Sequence, residues 1–270
     1  MIGFLTSHWL HTRDMYLGEL ARYAIGAGMV FAVVLVWRRL GVMRFRIHER
    51  FGKFAQMRRE AINAVVSLVC FQTAQLGVAA VALDLSLRFH GRAPQSLWFL
   101  AISIPLIIFA HDTYFYWSHR VMHLKPLFRW VHLEHHKSLA PTPWAAYSFS
   151  IPEAVVQGSF LPLYTLFVPV AKPVLIFFLV AEIAHNAMIH SGIEFFPRWM
   201  VSHRRFGWWA GVTHHDLHHG TTHSNFGLYF RFWDRLMGTE HRDFVAVYEY
   251  VRAPQNDGRA FRLLSRAPAK

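Results

Sequence analysis

Residues 97–123 read LWFLAISIPLIIFAHDTYFYWSHRVMH. The first half of this stretch carries no charge, and the second half brings in Asp112, Tyr116, His119 and His123. As a helix rising 1.5 Å per residue it reaches about 40 Å, longer than the roughly 30 Å hydrocarbon layer of a bilayer. Its last turns therefore emerge into water. His119 and His123, four apart, share one helical face there.

Working outward from that pair, two further stretches repeat one spacing. His132-Leu133-Glu134-His135-His136 and His215-Asp216-Leu217-His218-His219 both read His-x-x-His-His. A fourth pair, His185 and His190, lies between them, and most of the 19 histidines of the 270 residues fall in these places. Neutral imidazole is the commonest protein metal ligand. In a helical His-x-x-His-His triplet the first residue aligns with both others, so one turn offers nitrogens to one ion or to two neighbouring ions. His185 and His190 are five apart, about 140° round an ideal helix, so a bulge or a frayed helix end is needed to bring both inward. The ten positions exceed the four to six donors of one ion and point to two. A carboxylate-bridged site of the ferritin type needs two Glu-x-x-His elements, and only Glu182-x-x-His185 is present. The His-Glu-x-x-His spacing of metalloproteases is absent.

The rest of the composition places this site beside a membrane. The chain is 54% hydrophobic and 16% charged, with 24 Phe and 10 Trp, and uncharged apolar runs of this kind mark spans. Tyr23–Trp37 is one, extendable by snorkelling Arg22, Arg38 and Arg39. Residues 61–83 are a second and 97–123 a third. Residues 154–168 and 174–181 form an apolar pair joined by Pro169-Val170-Ala171-Lys172-Pro173, which reads as a crossing and return or a shallow hairpin. No cleavable signal peptide is evident. The single cysteine, Cys70, excludes disulfides, thiolate zinc sites and iron–sulfur clusters. The formal charge of +12 is not a nucleic-acid signature, because Arg38, Arg39, Arg44, Arg46, Arg50, Lys53, Arg58 and Arg59 form one block between two apolar segments. That is where the positive-inside rule puts a cytoplasmic loop. With that loop inside, all four histidine groups fall on the cytoplasmic side. The expected fold is all-α: an integral-membrane helical bundle with a cytoplasmic histidine-rich helical cap.

Metal-bound imidazole normally donates its second N–H to a carboxylate or carbonyl. Asp112, Tyr116, Glu182 and Asp216 are the candidates for such supporting roles, and Glu134 and Asp234 also lie close in sequence to ligand groups. Asp112 and Glu182 sit at membrane depth, where an acid is costly unless paired. His111, His214 and His223 adjoin the pattern as structural or supporting residues. His8, His11, His48, His90, His203 and His241 read as ordinary surface histidines.

With these motifs in hand, the chain resembles the fatty acid hydroxylase/sterol desaturase superfamily of integral-membrane di-iron enzymes. The resemblance runs from about Asp112 to Thr239. It is carried by Asp112-x-x-x-Tyr116-Trp117-x-His119-Arg120-x-x-His123, His132-x-x-His135-His136, His190-Ser191-Gly192 and His215-Asp216-x-His218-His219, then Asn225-Phe226-Gly227, Trp233-Asp234 and Gly238-Thr239. It implies two iron ions, dioxygen as co-substrate, and attack on an unactivated C–H bond of a lipid. Hydroxylation is the first expectation and desaturation on the same site the second, since placement of the C–H bond decides between them. The expected organisation is an N-terminal membrane region (1–96), a membrane-embedded catalytic domain (97–241) and a cytoplasmic tail (242–270). The chain shows no flavin, dinucleotide or haem motif, so electrons are expected from a separate ferredoxin or cytochrome with its reductase. Trp144, Tyr147, Phe149, Trp208 and Trp209 are candidates for an interfacial lipid entrance. A membrane metal transporter or metal-storage protein is the rival class; it would place ionisable ligands along a path through the bilayer midplane. A membrane cytochrome would need histidine pairs within the spans.

Overall fold

A computed structural model describes residues 2–40, 45–49, 51–84 and 96–253. Among these residues the regular structure is helical, with two isolated bridges, Arg46 with Ile193 and Trp209 with Phe230, and no strand. The long helices are α1 (Ile2–Arg39), α2 (Phe54–Asp84), α3 (Leu97–Met122) and, after a series of shorter ones, α8 (Lys172–Ile189). Within them, Arg13–Arg39, Leu97–Met122 and Lys172–Ile189 are long and apolar enough to cross a membrane. The expected span at 61–83 lies inside α2, whose side chains from 78 onward are outside the described residues.

These helices turn apolar side chains outward, the reverse of a water-soluble protein. Ile25 and Met29 on α1, Trp98 and Ile102 on α3, and Ile176 and Val180 on α8 are exposed. Polar residues, by contrast, concentrate in the interior: nine of the ten expected ligand histidines, Asp112, Glu153, Glu182, Glu194, Asp216 and Asp234 are all buried. A lipid-facing belt around a polar interior accounts for both.

The segment expected as an apolar hairpin is more broken than its composition suggests. Its first arm is two short helices, α6 (Ile151–Gly158) and α7 (Phe160–Phe167), interrupted at Ser159. Ser150 caps α6 by accepting the Glu153 N–H, and Pro152 lies in its first turn, where a missing N–H costs nothing. Gly158 then lets α6 press against α2: a Cβ there would lie 2.6 Å from Cδ1 of Phe71. The second arm, α8, runs on past the apolar run to Ile189, with His190 as its C-cap.

The cap is assembled from α4 (Lys125–Val131), α5 (Leu133–His136), a 3-10 turn (Pro143–Tyr147), α9 (Arg198–Val201), α10 (Val212–Thr221), α11 (Phe232–Leu236) and α12 (Phe244–Val251). Its core joins Ile47, Ile189, Val212, Leu217, Leu228, Phe244, Val247 and Val251. Residues 244–251, expected within a tail, therefore form a helix whose Phe244, Val247, Tyr248 and Val251 are buried in that core. The cap also rests on the loop between α1 and α2. Ile47 N–H donates to the Gly192 carbonyl at 2.9 Å and Glu194 N–H to that of Phe45 at 2.9 Å. Gly192, at φ +69°, occupies the left-handed region that glycine enters freely. The basic loop and the cap thus share one end of the bundle.

Candidate metal centre

Nine of the ten expected histidines converge in two groups. One holds His119, His123, His132, His136 and His218; the other holds His135, His190, His215 and His219. Within each group the candidate ligand nitrogens lie within 4.8 Å of one another. The groups share helices through the spacing of the two triplets. The positions four apart, His132 with His136 and His215 with His219, go to the same group, while the intervening His135 and His218 each go to the other. Each short helix therefore serves both groups, and in opposite proportion.

The Nε2 atoms point at each other. Nε2 of His119 is 2.9 Å from that of His132, and His136 approaches His218 at 3.1 Å and His123 at 3.3 Å. In the second group the same atoms of His215 approach His190 at 3.0 Å and His219 at 3.1 Å, with His190 to His135 at 3.4 Å. Four rings have their tautomer set from behind, because Nδ1–H faces a backbone carbonyl: His119 to Phe226 at 3.0 Å, His218 to Ser224 at 2.7 Å, His190 to Asn186 at 2.8 Å and His135 to Ser148 at 3.3 Å. Their Nε2 atoms then carry lone pairs, and lone pairs crowded to about 3 Å repel unless a cation lies among them. Burial keeps the rings neutral. It lowers His190 to about 4 and His136 to about 3, and holds His135, His215, His218 and His219 well below the usual range. The donor set fits two borderline transition-metal ions, with all-nitrogen ligation.

A profile of the fatty acid hydroxylase family matches residues 104–239, just over half of the 270-residue chain and the whole of both groups. The chain belongs to the fatty acid hydroxylase family. Similar proteins include the Delta(7)-sterol 5(6)-desaturase ERG3B of Gibberella zeae, 32% identical over 165 residues, which are 60% of this chain and 49% of that one. The methylsterol monooxygenase erg25B of Aspergillus fumigatus is 33% identical over 160 residues, 54% of this chain and 50% of its own length. The lathosterol oxidase of Homo sapiens is 27% identical over 195 residues, 71% and 63% respectively. The chain thus spans about half the length of the first two. No solved structure matches it. With three helices of spanning length among its described residues, this member of the hydroxylase family is a membrane protein.

His185 is the expected ligand that the fold does not bring in. Its Nε2 faces the Leu228 carbonyl at 3.0 Å, and its ring packs on Tyr229, Phe196 and Trp209. The five-residue spacing explains this: α8 stays regular to Ile189, so only His190, at the cap, swings inward. His111 and His214 also lie outside both groups; His111 pairs with the Tyr229 hydroxyl at 3.0 Å, and His214 stands 3.5 Å from Asp234. His223 is exposed.

None of the four expected supporting residues hydrogen-bonds a histidine of either group. Asp112 Oδ1 accepts three successive backbone N–H groups, from Leu228, Tyr229 and Phe230, at 3.2, 2.7 and 3.1 Å. Asp234 likewise accepts from Phe226 and Gly227 at 2.9 and 2.8 Å, and burial raises it to about 6. These two acids shape the 224–230 loop, and that loop supplies the carbonyls facing His119 and His218. Their support is indirect. Tyr116 bonds Thr239, which also donates to Asp234 at 2.7 Å. Asp216 pairs with His48 at 3.0 Å, and Glu182 sits lower in α8 with Tyr147, Asn186 and Arg22. Among the acids beside the first group, Glu134 is turned outward to Lys137 and Asn63.

Two contributors were not expected. Glu153 is buried with its Oε1 2.7 Å from Nδ1 of His132, and burial raises its carboxyl well above the usual range. In sequence it reads as the fourth residue of a Ser-x-x-Glu helix start; its one further signal is a lone acid in an apolar run. His48, set among the basic residues of the α1–α2 loop, lends its ring to Asp216. Burial opposes charge on that ring, but the carboxylate's field and hydrogen bond outweigh it and raise the His48 pKa.

Beneath the groups lies a cavity of about 590 Å³, measured with its open mouth. It runs between α1, α2, α3, α6, α7 and α8. Phe115 and Phe149 form part of its wall and also pack on His119 and His135, with ring centroids at 4.9 and 5.3 Å. Asn186, whose carbonyl faces His190, lines it too. Of the five aromatics expected at a lipid entrance, Tyr147 and Phe149 line this cavity; Trp144 packs on Tyr23, Trp209 on His185, and Trp208 is exposed.

Proposed function

We propose that this chain is a non-haem di-iron oxygenase that hydroxylates an unactivated C–H bond of a membrane lipid, fatty acyl or sterol. The observation that carries the proposal is the position of the two histidine groups over a cavity whose wall next to them includes Phe115 and Phe149, at the end of helices of membrane-spanning length. The overall change is R–H + O2 + 2e− + 2H+ → R–OH + H2O, with the two electrons delivered by a separate ferredoxin or cytochrome. Two irons, held by His119, His123, His132, His136 and His218 and by His135, His190, His215 and His219, supply the dioxygen chemistry when bound.

The chain's own side chains do the rest. The backbone carbonyls of Phe226, Ser224, Asn186 and Ser148 hold four imidazoles with Nε2 inward, so little reorganisation accompanies loading. Phe115 and Phe149 line the cavity and pack on His119 and His135, so a lipid held there has its C–H bonds next to the ligand rings. The side of the membrane follows from charge. Arg46, Lys53, Arg58 and Arg59 lie in or beside the loop that packs on the cap, and the positive-inside rule assigns that end to the cytoplasm.

Desaturation is the second reading, favoured by the desaturase among the similar proteins; the same residues serve it, and the geometry of the bound lipid selects the outcome. A metal transporter is disfavoured because both groups gather at one end of the bundle instead of following a path through it. The test is a lipid extract from cells with and without the chain, grown in air with a reductase system, alongside metal analysis of the purified protein. New hydroxylated lipid and about two irons per chain support the hydroxylase; a new double bond selects desaturation. An unchanged lipid profile with both metals present refutes the proposal.

A further inference from the structure

The cavity beneath the histidines contains an ionisable cluster that the oxidation chemistry does not use. Arg22 from α1 donates to the Leu179 carbonyl at 2.7 Å, pairs with Glu19 one turn away, and stands 4.0 Å from Glu182 on α8. Tyr147 donates to the same Glu182 oxygen, Oε2, and the Asn186 amide donates to Oε1 at 3.3 Å. All five of these side chains line the cavity. Leu179 and Glu182 lie seven and four residues before Asn186 on α8, so the cluster lies about 6–10 Å along the axis from the carbonyl that faces His190. Ionisable groups at membrane depth mark functional sites by default, because isolating them there is costly.

The charge count of this wall is informative. Two carboxylates, Glu19 and Glu182, face one guanidinium, and Arg22 is the only lysine or arginine among the described residues of the lining. Its positive charge is already matched by Glu19, and a second acid, Glu182, stands beside it. A lipid carrying a carboxylate would meet no surplus positive charge and would add a third acid in a low-dielectric space. An uncharged lipid meets no such penalty.

A second observation comes from α6. Neither Oε1 nor Nε2 of Gln157 has a hydrogen-bond partner in the protein, though both atoms are shielded from solvent and the residue lines the same cavity. A buried amide without partners is costly, and it presents one acceptor and two donor hydrogens. A hydroxyl can donate to Oε1 and accept from Nε2–H in turn; an ionised carboxylate can only accept. Charge count and amide agree.

The geometry points to an uncharged lipid alcohol as the cavity's occupant, with Gln157 holding its hydroxyl and the Glu19–Arg22–Glu182 wall turning carboxylates away. This rests on the reading of the chain as a lipid-oxidising enzyme, but it is tested by binding without turnover, so the two can fail separately.

The experiment uses full-length, metal-loaded protein in phosphatidylcholine nanodiscs, without air or reductant. Retention of tritiated octadecanol is compared with that of tritiated octadecanoate at alkaline pH. Octadecanol should be preferred by about tenfold or more, the consequence of one unmatched buried charge. Gln157→Leu should weaken octadecanol about tenfold, as expected for lost hydrogen bonds, and leave octadecanoate little changed. Glu19→Gln should leave octadecanol unchanged and strengthen octadecanoate. Equal retention of the two lipids by the wild-type chain overturns the inference. So does an equal loss of both in Gln157→Leu, which would assign the amide to packing. If Gln157→Leu fails to fold by circular dichroism, the Glu19→Gln arm decides: octadecanoate retention that stays flat there overturns the charge argument and with it the inference.

Discussion

The two members of the 185/190 pair should behave as different kinds of residue when each is replaced by glutamine. His190→Gln removes one of four nitrogens from its group, so metal affinity should fall by more than the roughly 100-fold upper range of outer-sphere changes. His185→Gln touches neither group. It disturbs a buried contact of 3.0 Å with the Leu228 carbonyl, and loss of a buried hydrogen bond costs about 1–3 kcal/mol of stability when the partner is left unpaired. The glutamine amide can itself reach that carbonyl, which puts the expected cost at the low end, about 1 kcal/mol. The assay is metal per chain by elemental analysis after equilibration against graded chelator, with thermal unfolding of the same samples. His190→Gln should lose metal at lower chelator, while His185→Gln should keep the wild-type chelator midpoint and unfold slightly earlier. A His185→Gln protein that stays folded yet sheds metal as His190→Gln does would refute the geometric separation of the two residues.

Glu153→Leu should weaken metal retention about 10–100-fold, because the carboxylate behind His132 is removed; an unmoved chelator midpoint in the folded variant sinks that role. The metal-free protein should lose stability as pH falls from about 6.5 towards 4. In that window an unfolded histidine takes up a proton, whereas folded His190 waits until about 4 and His136 until about 3. The unfolded state then binds more protons, and acid favours it; denaturant midpoints at several pH values check this, and a flat profile contradicts it. Ile102→Arg, on the outward face of α3, should impair membrane insertion by about 2.5–3.5 kcal/mol. Carbonate extraction reads that outcome, and full retention of the variant in the membrane would count against a lipid-facing α3.

Much of the fold was legible because membrane spans advertise themselves in a single run of sequence. Residues 97–123 were expected to be one helix and α3 ends at Met122, with His123 as its cap. The two His-x-x-His-His stretches were equally plain, since spacings of three and four map directly onto a helix face. What was not legible depends on contacts between distant segments. The roles of Asp112 and Asp234 pass through the 224–230 backbone, and no local pattern reveals that a carboxylate will cradle N–H groups 116 or more positions away. Glu153 stands three residues after the capping Ser150, which accounts for it locally, while its contact with His132 bridges 21 positions. His48 was hidden among arginines, because its partner Asp216 lies 168 positions on. The break at Ser159 and the burial of α12 likewise depend on what packs against them, not on local composition.

The crosswise sharing of α5 and α10 has a consequence for how the protein matures. Because each triplet commits two rings to one group and one to the other, the first ion to arrive would clamp both helices and so pre-arrange the pocket for its neighbour. Assembly of this kind is cooperative: in a titration of the apoprotein, singly loaded molecules would stay scarce at every ratio of metal to chain.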